Sequence, residues 1–167
     1  MPGVRGGLRQ RLLQAALEVL RQEGLLALTL ERVAERAGVS KGGLLHHFPT
    51  KEDLLTGLLE RELDRFEEAV RASGRPFLEG YVRLGHRDET GVFLVLLAAS
   101  ALYPGLLERA RARFRAWLGR LPPGPEALLI LLATDGLRLA DLLGTLSPPE
   151  RERALEALLA RAQEVAG

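Results

Sequence analysis

The chain has 167 residues, of which 47% are apolar, 27% charged and 5% aromatic, so it can bury a core without staples in one or two compact units. It holds no cysteine, which excludes a disulfide framework and a cysteine-based zinc site. The longest apolar runs, Val92 to Ala99 and Ala127 to Ala133, fall far short of the roughly 20 residues of a membrane span. The start, Met1-Pro2-Gly3-Val4-Arg5, carries no continuous apolar signal segment. A cytoplasmic protein with no membrane partner is the expectation. Leucine accounts for 38 residues while β-branched residues are scarce, which favours an all-α fold over strands.

The net charge of +1 conceals a gradient. Residues 1–50 hold seven basic against four acidic side chains, and residues 51–70 hold three against seven. A basic head followed by an acidic helix orients a protein on a polyanion, although an imbalance this small also arises by ordinary sampling. Of the 23 basic residues only Lys41 and Lys51 are lysines.

Apolar periodicity predicts about nine helices. Leu12, Leu13, Ala16, Leu17 and Leu20 line a first helix from about Gly7 to Glu23, ended by Gly24. Thr29 caps a second, Leu30 to Ala37, and Gly38-Val39-Ser40 stops it and caps a third, Lys41 to about His47. Gly42 and Gly43 weaken that third helix, so Leu44, Leu45 and Phe48 must hold it. After Pro49, Thr50 caps a fourth helix through residue 73, with Leu54, Leu55, Leu58, Leu59, Leu63, Phe66 and Val70 on one stripe and a wet face that includes Glu60, Asp64, Glu67 and Glu68.

A fifth helix runs from Pro76 to Gly85 or His86, a sixth from Glu89 to Tyr103 with Asp88 as cap, and a seventh from Pro104 to Leu121. The break Pro122-Pro123-Gly124-Pro125 precedes an eighth, Glu126 to Gly144, and Ser147-Pro148-Pro149-Glu150 is a capping box for a ninth. The eighth is leucine-rich on nearly all sides, with Thr134, Arg138 and Asp141 as its polar strip, so it is expected to be buried all round. The arginines from Arg109 to Arg120 wind around the seventh helix, as an ion-paired surface does.

Two short helices joined at Gly38-Val39-Ser40 describe a helix-turn-helix, whose second helix enters a major groove. On that reading Ser40 and Lys41 take a phosphate, Gly42 and Gly43 admit close backbone approach, and Thr50 with Lys51 repeats the clamp. A plain helical hairpin, in which Gly43 merely lets two helices touch, remains the alternative at this point. No Walker-type loop, G-x-S-x-G elbow or H-E-x-x-H motif is present. No catalytic residue, metal or cofactor is therefore expected.

The stretch from Leu28-Thr29-Leu30-Glu31 through Ala37-Gly38-Val39-Ser40-Lys41-Gly42-Gly43-Leu44-Leu45-His46-His47-Phe48-Pro49-Thr50-Lys51-Glu52 resembles the N-terminal domain of TetR-family transcriptional regulators. The resemblance implies a DNA-binding domain over residues 1–50 and a ligand-binding and dimerisation domain over 51–167, sharing helix 51–73. It implies a homodimer on a palindromic double-stranded DNA operator, most simply a repressor released by an unidentified small apolar effector. The alternative is a helical small-molecule binder without operator-specific DNA binding.

By position, the resemblance makes Thr29, Ser40, Lys41, Gly42, Gly43, Leu45, His46, His47, Thr50 and Lys51 the DNA-contact candidates. The family usually carries Tyr at the place of Leu45 or His46, and this chain has it at neither. A protonated His46 can supply the missing donor, so affinity is expected to fall as pH rises from about 6 to about 7.5. The effector pocket is expected among Phe66, Tyr81, His86, Phe93, Ser100, Tyr103, Phe114, Trp117 and Thr134, residues that serve equally well as core. The last two helices are expected to pair with those of a second copy through Leu128, Leu132, Leu139, Leu143, Leu155, Leu158, Leu159 and Ala162.

Overall fold

The leucine-rich stretches fold as helices in a computed structural model that describes residues 3–85 and 92–166. In chain order the described elements are α1 (Gly3–Glu23), α2 (Leu30–Ala37), α3 (Lys41–Leu45), α4 (Lys51–Ala72), α5 (Phe77–Gly85), α6 (Val92–Ala99), α7 (Pro104–Leu118), α8 (Pro125–Leu143) and α9 (Pro148–Ala166). No strand occurs among the described residues. The third helix is shorter than its apolar pattern suggests, because His47 and Phe48 both return their amides to the Leu44 carbonyl at 2.9 Å and tighten its end. Helix α6 stops at Ala99 rather than Tyr103, where Ser100 turns its hydroxyl back on the Leu97 carbonyl. The expected cap Asp88 lies outside the described residues.

Contacts divide the chain into two compact units, 1–63 with 95–110 and 64–94 with 111–167. In the first, Leu12, Leu13, Leu17, Leu28, Val33, Leu44, Leu54, Leu55 and Leu58 are fully buried. Gly38, at φ 65°, ends α2 in the left-handed conformation, with its own amide on Glu35 O and that of Val39 on Ala34 O. Arg32 forks onto Glu23 at 2.9 and 3.0 Å and Arg36 reaches the same carboxylate at 2.8 Å, tying α2 to the end of α1. Phe48 is 2% exposed, with the Arg9 guanidinium 5.3 Å from its ring centre.

In the second unit α5, α8 and α9 pack together. Here the polar strip of α8 points into the chain and most of its leucines point out. Thr134 and Arg138 face inward beside Ala127, Ile130, Leu131 and Leu137, whereas Leu128, Leu129, Leu132, Leu139, Leu142 and Leu143 stand exposed. The helix is therefore not buried all round within one chain. Gly80 lies so close to α4 that a Cβ there would meet Val70 at 2.7 Å.

One glycine fixes the corner between α3 and α4. A Cβ on Gly57 would stand 2.8 Å from the edge of the Phe48 ring, 3.2 Å from Arg9 and 3.4 Å from Leu13. Alanine favours a helix interior by about 1 kcal/mol, yet overpacking a core costs about 1–3 kcal/mol. Gly57→Ala is expected to lower stability, read as a reduced urea midpoint, with far-ultraviolet circular dichroism retained.

Candidate nucleic-acid interface and ligand site

Between α2 and α3 the backbone makes the tight turn that a helix-turn-helix requires, with Gly38 left-handed and Val39 and Ser40 following. Thr29 caps α2, its hydroxyl oxygen accepting from the Arg32 amide at 3.1 Å. Ser40 caps α3 in the same way, from the Gly43 amide at 3.1 Å. Both caps stay exposed, as do Lys41, Gly42 and His46. Nothing lies within 4 Å of where a Gly42 Cβ would be, so this side of α3 is open.

Not every predicted contact residue is equally free. Thr50 donates its hydroxyl proton to Asp53 at 2.7 Å and accepts the Asp53 amide at 3.1 Å, a reciprocal cap that occupies the side chain within the helix start. Lys51 is half-buried, with its ammonium 3.4 Å from the Leu25 carbonyl. Lys41 is paired to Glu31 at 2.6 Å. Leu45 and His47 are half-buried, and the rings of His46 and His47 meet edge to face at 5.4 Å. The head's arginines Arg32 and Arg36 hold α1 to α2, and Arg32 takes Glu35 as well. Glu23 consequently lies below the usual carboxylate range, chiefly through its hydrogen bond to Arg32.

Of the predicted ligand residues, Phe66, Tyr81, Phe114 and Trp117 come together in the second unit, joined by Phe77. The Phe66 and Tyr81 ring centres are 5.4 Å apart, Phe66 and Trp117 5.5 Å, and Phe114 and Trp117 5.2 Å. Tyr81 and Trp117 are essentially inaccessible, so these rings pack as core against one another. Thr134 is buried with its hydroxyl on the Ile130 carbonyl. Ser100 and Tyr103 belong to the first unit. His86 and the Phe93 side chain lie outside the described residues.

The cluster has a polar rim that residue patterning placed differently. Glu67 accepts the Trp117 indole N–H and pairs with Arg113 at 3.2 Å, so it is not on a wet face. Glu79, 6% exposed, is held by Arg75, Arg83 and Gln163 at 2.5, 2.9 and 3.1 Å. The two arginines stand four residues either side of Glu79, a spacing legible in the chain, whereas Gln163 is distant in sequence. Deeper in, the Tyr81 hydroxyl donates to Asp135 at 2.6 Å, and Arg138 stands 3.6 Å from the same oxygen. Burial pushes both groups upward, and the Tyr81 and Arg138 contacts pull Asp135 partly back.

Of the arginines expected to be ion-paired, Arg109 on α7 pairs with Glu60 at 3.5 Å, and Arg120, just beyond the end of α7, pairs with Glu67 at 3.6 Å. Asp141 takes Arg151 at 2.8 Å, leaving Arg138 to Asp135. Among the residues expected at a dimer seam, Leu128, Leu132, Leu139 and Leu143 are exposed, and Leu155, Leu158 and Leu159 are half-buried. Ala162 is wholly buried within the chain and cannot meet a partner directly. Between α8 and α9 runs a groove of ≈ 630 Å³, walled by Leu129, Ile130, Leu137 and Leu158 and flanked by Glu126 and Arg161. No described helix is long and apolar enough to cross a membrane.

Comparison with known proteins bears on both units. Residues 12–58 match the family described as bacterial regulatory proteins, tetR family, and residues 75–163 match the tetracyclin repressor-like C-terminal domain. The HTH-type transcriptional regulator RutR of Escherichia coli (strain K12) is 37% identical over 81 residues, 46% of this chain and 38% of RutR. The chain thus matches little more than a third of that relative's length. The HTH-type transcriptional repressor KstR2 of Mycobacterium tuberculosis (strain H37Rv) is 26% identical over 133 residues, 71% of this chain and 66% of KstR2. Among solved structures, the multidrug binding protein EbrR complexed with ethidium is 29% identical with a TM-score of 0.73, covering 93% of this chain and 98% of EbrR.

The Tyr81–Asp135 bond generates a test. An acid raised by burial contributes most to stability in acid and less as pH climbs through its folded value. Removing the Tyr81 hydroxyl takes away a bond that favours the ionised carboxylate. Tyr81→Phe is expected to cost about 1.5–3 kcal/mol at neutral pH and less near pH ~4, measured by urea denaturation at both.

Proposed function

This chain belongs to the TetR family of bacterial regulatory proteins, and on that premise we propose that it is a ligand-responsive, DNA-binding transcriptional regulator. The observation that carries the reading is the open outer side of α3, where Ser40, Lys41, Gly42 and His46 are exposed on a helix held from behind by Leu44 and Phe48. A helix so presented enters a major groove with its first residues on base edges and its flanks on phosphates. Thr29, Ser40, Lys41 and Lys51 position the backbone, and Gly42, Gly43, Leu45, His46 and His47 lie nearest the bases. Thr50 acts mainly by fixing the start of α4. The protein works in the cytoplasm as a repressor, and the reading assigns it no catalytic step.

Its effector is a small apolar molecule that enters by parting the packed rings of Phe66, Tyr81, Phe114 and Trp117, with Asp135 as the polar group at hand. The ethidium complex of EbrR supports a flat aromatic ligand for that relative's fold. The coupling element is α4, a single helix carrying Lys51 at its start and Phe66 and Val70 near its end.

A second copy of the chain covers the leucines of α8. Six exposed leucines on one helix are the kind of apolar patch that marks an interface, and a two-fold partner would set two reading heads on a palindrome. Leu132→Glu is expected to yield monomers by sedimentation at micromolar concentration and to abolish palindrome binding.

Selection of bound sequences from random duplex DNA, followed by titration at two salt concentrations, tests the whole reading. Recovery of a palindrome is the expected result, and failure to enrich any sequence at either salt would overturn it. Lys51→Ala should weaken all duplexes alike and reduce the salt slope by about 0.9. A changed base preference would instead mean that Lys51 reads sequence.

A further inference from the structure

We propose that Glu31 is a specificity-determining residue of the reading head, holding Lys41 in a latch that weakens the grip on arbitrary DNA. The inference rests on the DNA-binding reading above. Glu31 is the second residue of α2 and Lys41 the first of α3, and their charged ends meet at 2.6 Å. Both side chains are more than half exposed, so water and phosphate both have access to the pair. The Glu31 carboxyl lies below its ordinary range, first through Lys41 and then through its own backbone amide, and so remains a charged competitor at neutral pH.

This pair differs in kind from its neighbours. Glu23 and Glu35 are taken by arginine, with the Arg32 guanidinium forked across both Glu23 oxygens, and the Glu23 contacts bind α2 to α1. Lysine offers a compact charge on a flexible stem and exchanges partners without breaking a planar two-bond fit. The chain holds 23 basic residues, yet lysine appears only at positions 41 and 51. A fork is kept where two helices must stay joined, and an exchangeable ammonium stands where a phosphate must be taken up.

The consequence for recognition follows from how DNA attracts proteins. Non-specific affinity is almost wholly the release of counterions by unpaired cations. A lysine held by a carboxylate is close to neutral from a distance and contributes little to that attraction. When the other contacts have set the register, a phosphate within reach of Nζ replaces Glu31 and the charge is engaged. Glu31 therefore subtracts from every duplex, and most from those that do not seat α3.

Glu31→Gln, Lys41→Ala and the double variant separate these effects, using anisotropy with a scrambled duplex and a duplex selected by the wild-type protein. Glu31→Gln is expected to tighten the scrambled duplex roughly fivefold, the selected one less, and to steepen the salt slope by about 0.9. With Lys41→Ala already present, Glu31→Gln should change nothing. An equal gain in that background would show simple repulsion and overturn the latch, as would no gain in either. A wild-type protein that binds neither duplex would remove the DNA-binding reading and the latch's role with it. The pair itself is read without DNA by carbon-13 titration of the Glu31 carboxyl, which should move upward in Lys41→Ala. An unmoved midpoint would overturn the latch on its own.

Discussion

The ring of Phe48 lying against the bare backbone of Gly57 determines where α3 ends and how α4 begins. With only five residues, α3 is too short to stand by its own hydrogen bonds, and two of those residues are glycine. Its direction comes from what lies behind it, Leu44 and Phe48 in the core and the Ser40 cap at the front. The openness of its outer side and the rigidity of its inner side are two results of one contact. A side chain on residue 57 would push both at once.

Charge is organised so that most of it is internally answered. Arg32 and Arg36 are tied to Glu23, Arg113 and Arg120 to Glu67, and Arg75 and Arg83 to Glu79. The more exposed of these pairs, those of Glu23, contribute little to stability individually. The buried carboxylate of Glu79 is another matter, since a lone charge there would be costly without its cations. The small formal excess of the first fifty residues therefore says less about DNA than where its unforked cations stand.

Much of the fold was legible because leucine periodicity and end signals agree. Gly38, Ser40, Thr50 and Ser147 each do what their residue types suggest, and Ser147 closes its capping box with Glu150. Periodicity was incomplete on α8, where Thr134 and Arg138 of the polar strip turn inward and six of the eight leucines turn outward. Hydrophobicity counts how much of a helix is apolar; it does not tell whether the covering surface lies in the same chain. The aromatic cluster was half legible: four of its rings could be named, but Phe77, four residues before Tyr81, was missed, and the bonds from Trp117 to Glu67 and from Tyr81 to Asp135 join residues 50 and 54 apart in the chain. The helix-turn-helix was legible as a motif, while the pairing of Lys41 with Glu31 depends on the angle between two helices.

The scarcity of lysine has a chemical side of its own. Primary amines on side chains occur at two places in the whole sequence, residues 41 and 51, and the first is well exposed while the second is half-buried. Amine-directed acylation would leave the 21 guanidinium groups untouched and, among side chains, remove charge only at the first residue of α3 and the first of α4. It would act on the helix-turn-helix as a pair of neutralising substitutions, applied to the folded protein and graded by accessibility, with residue 41 reacting ahead of residue 51.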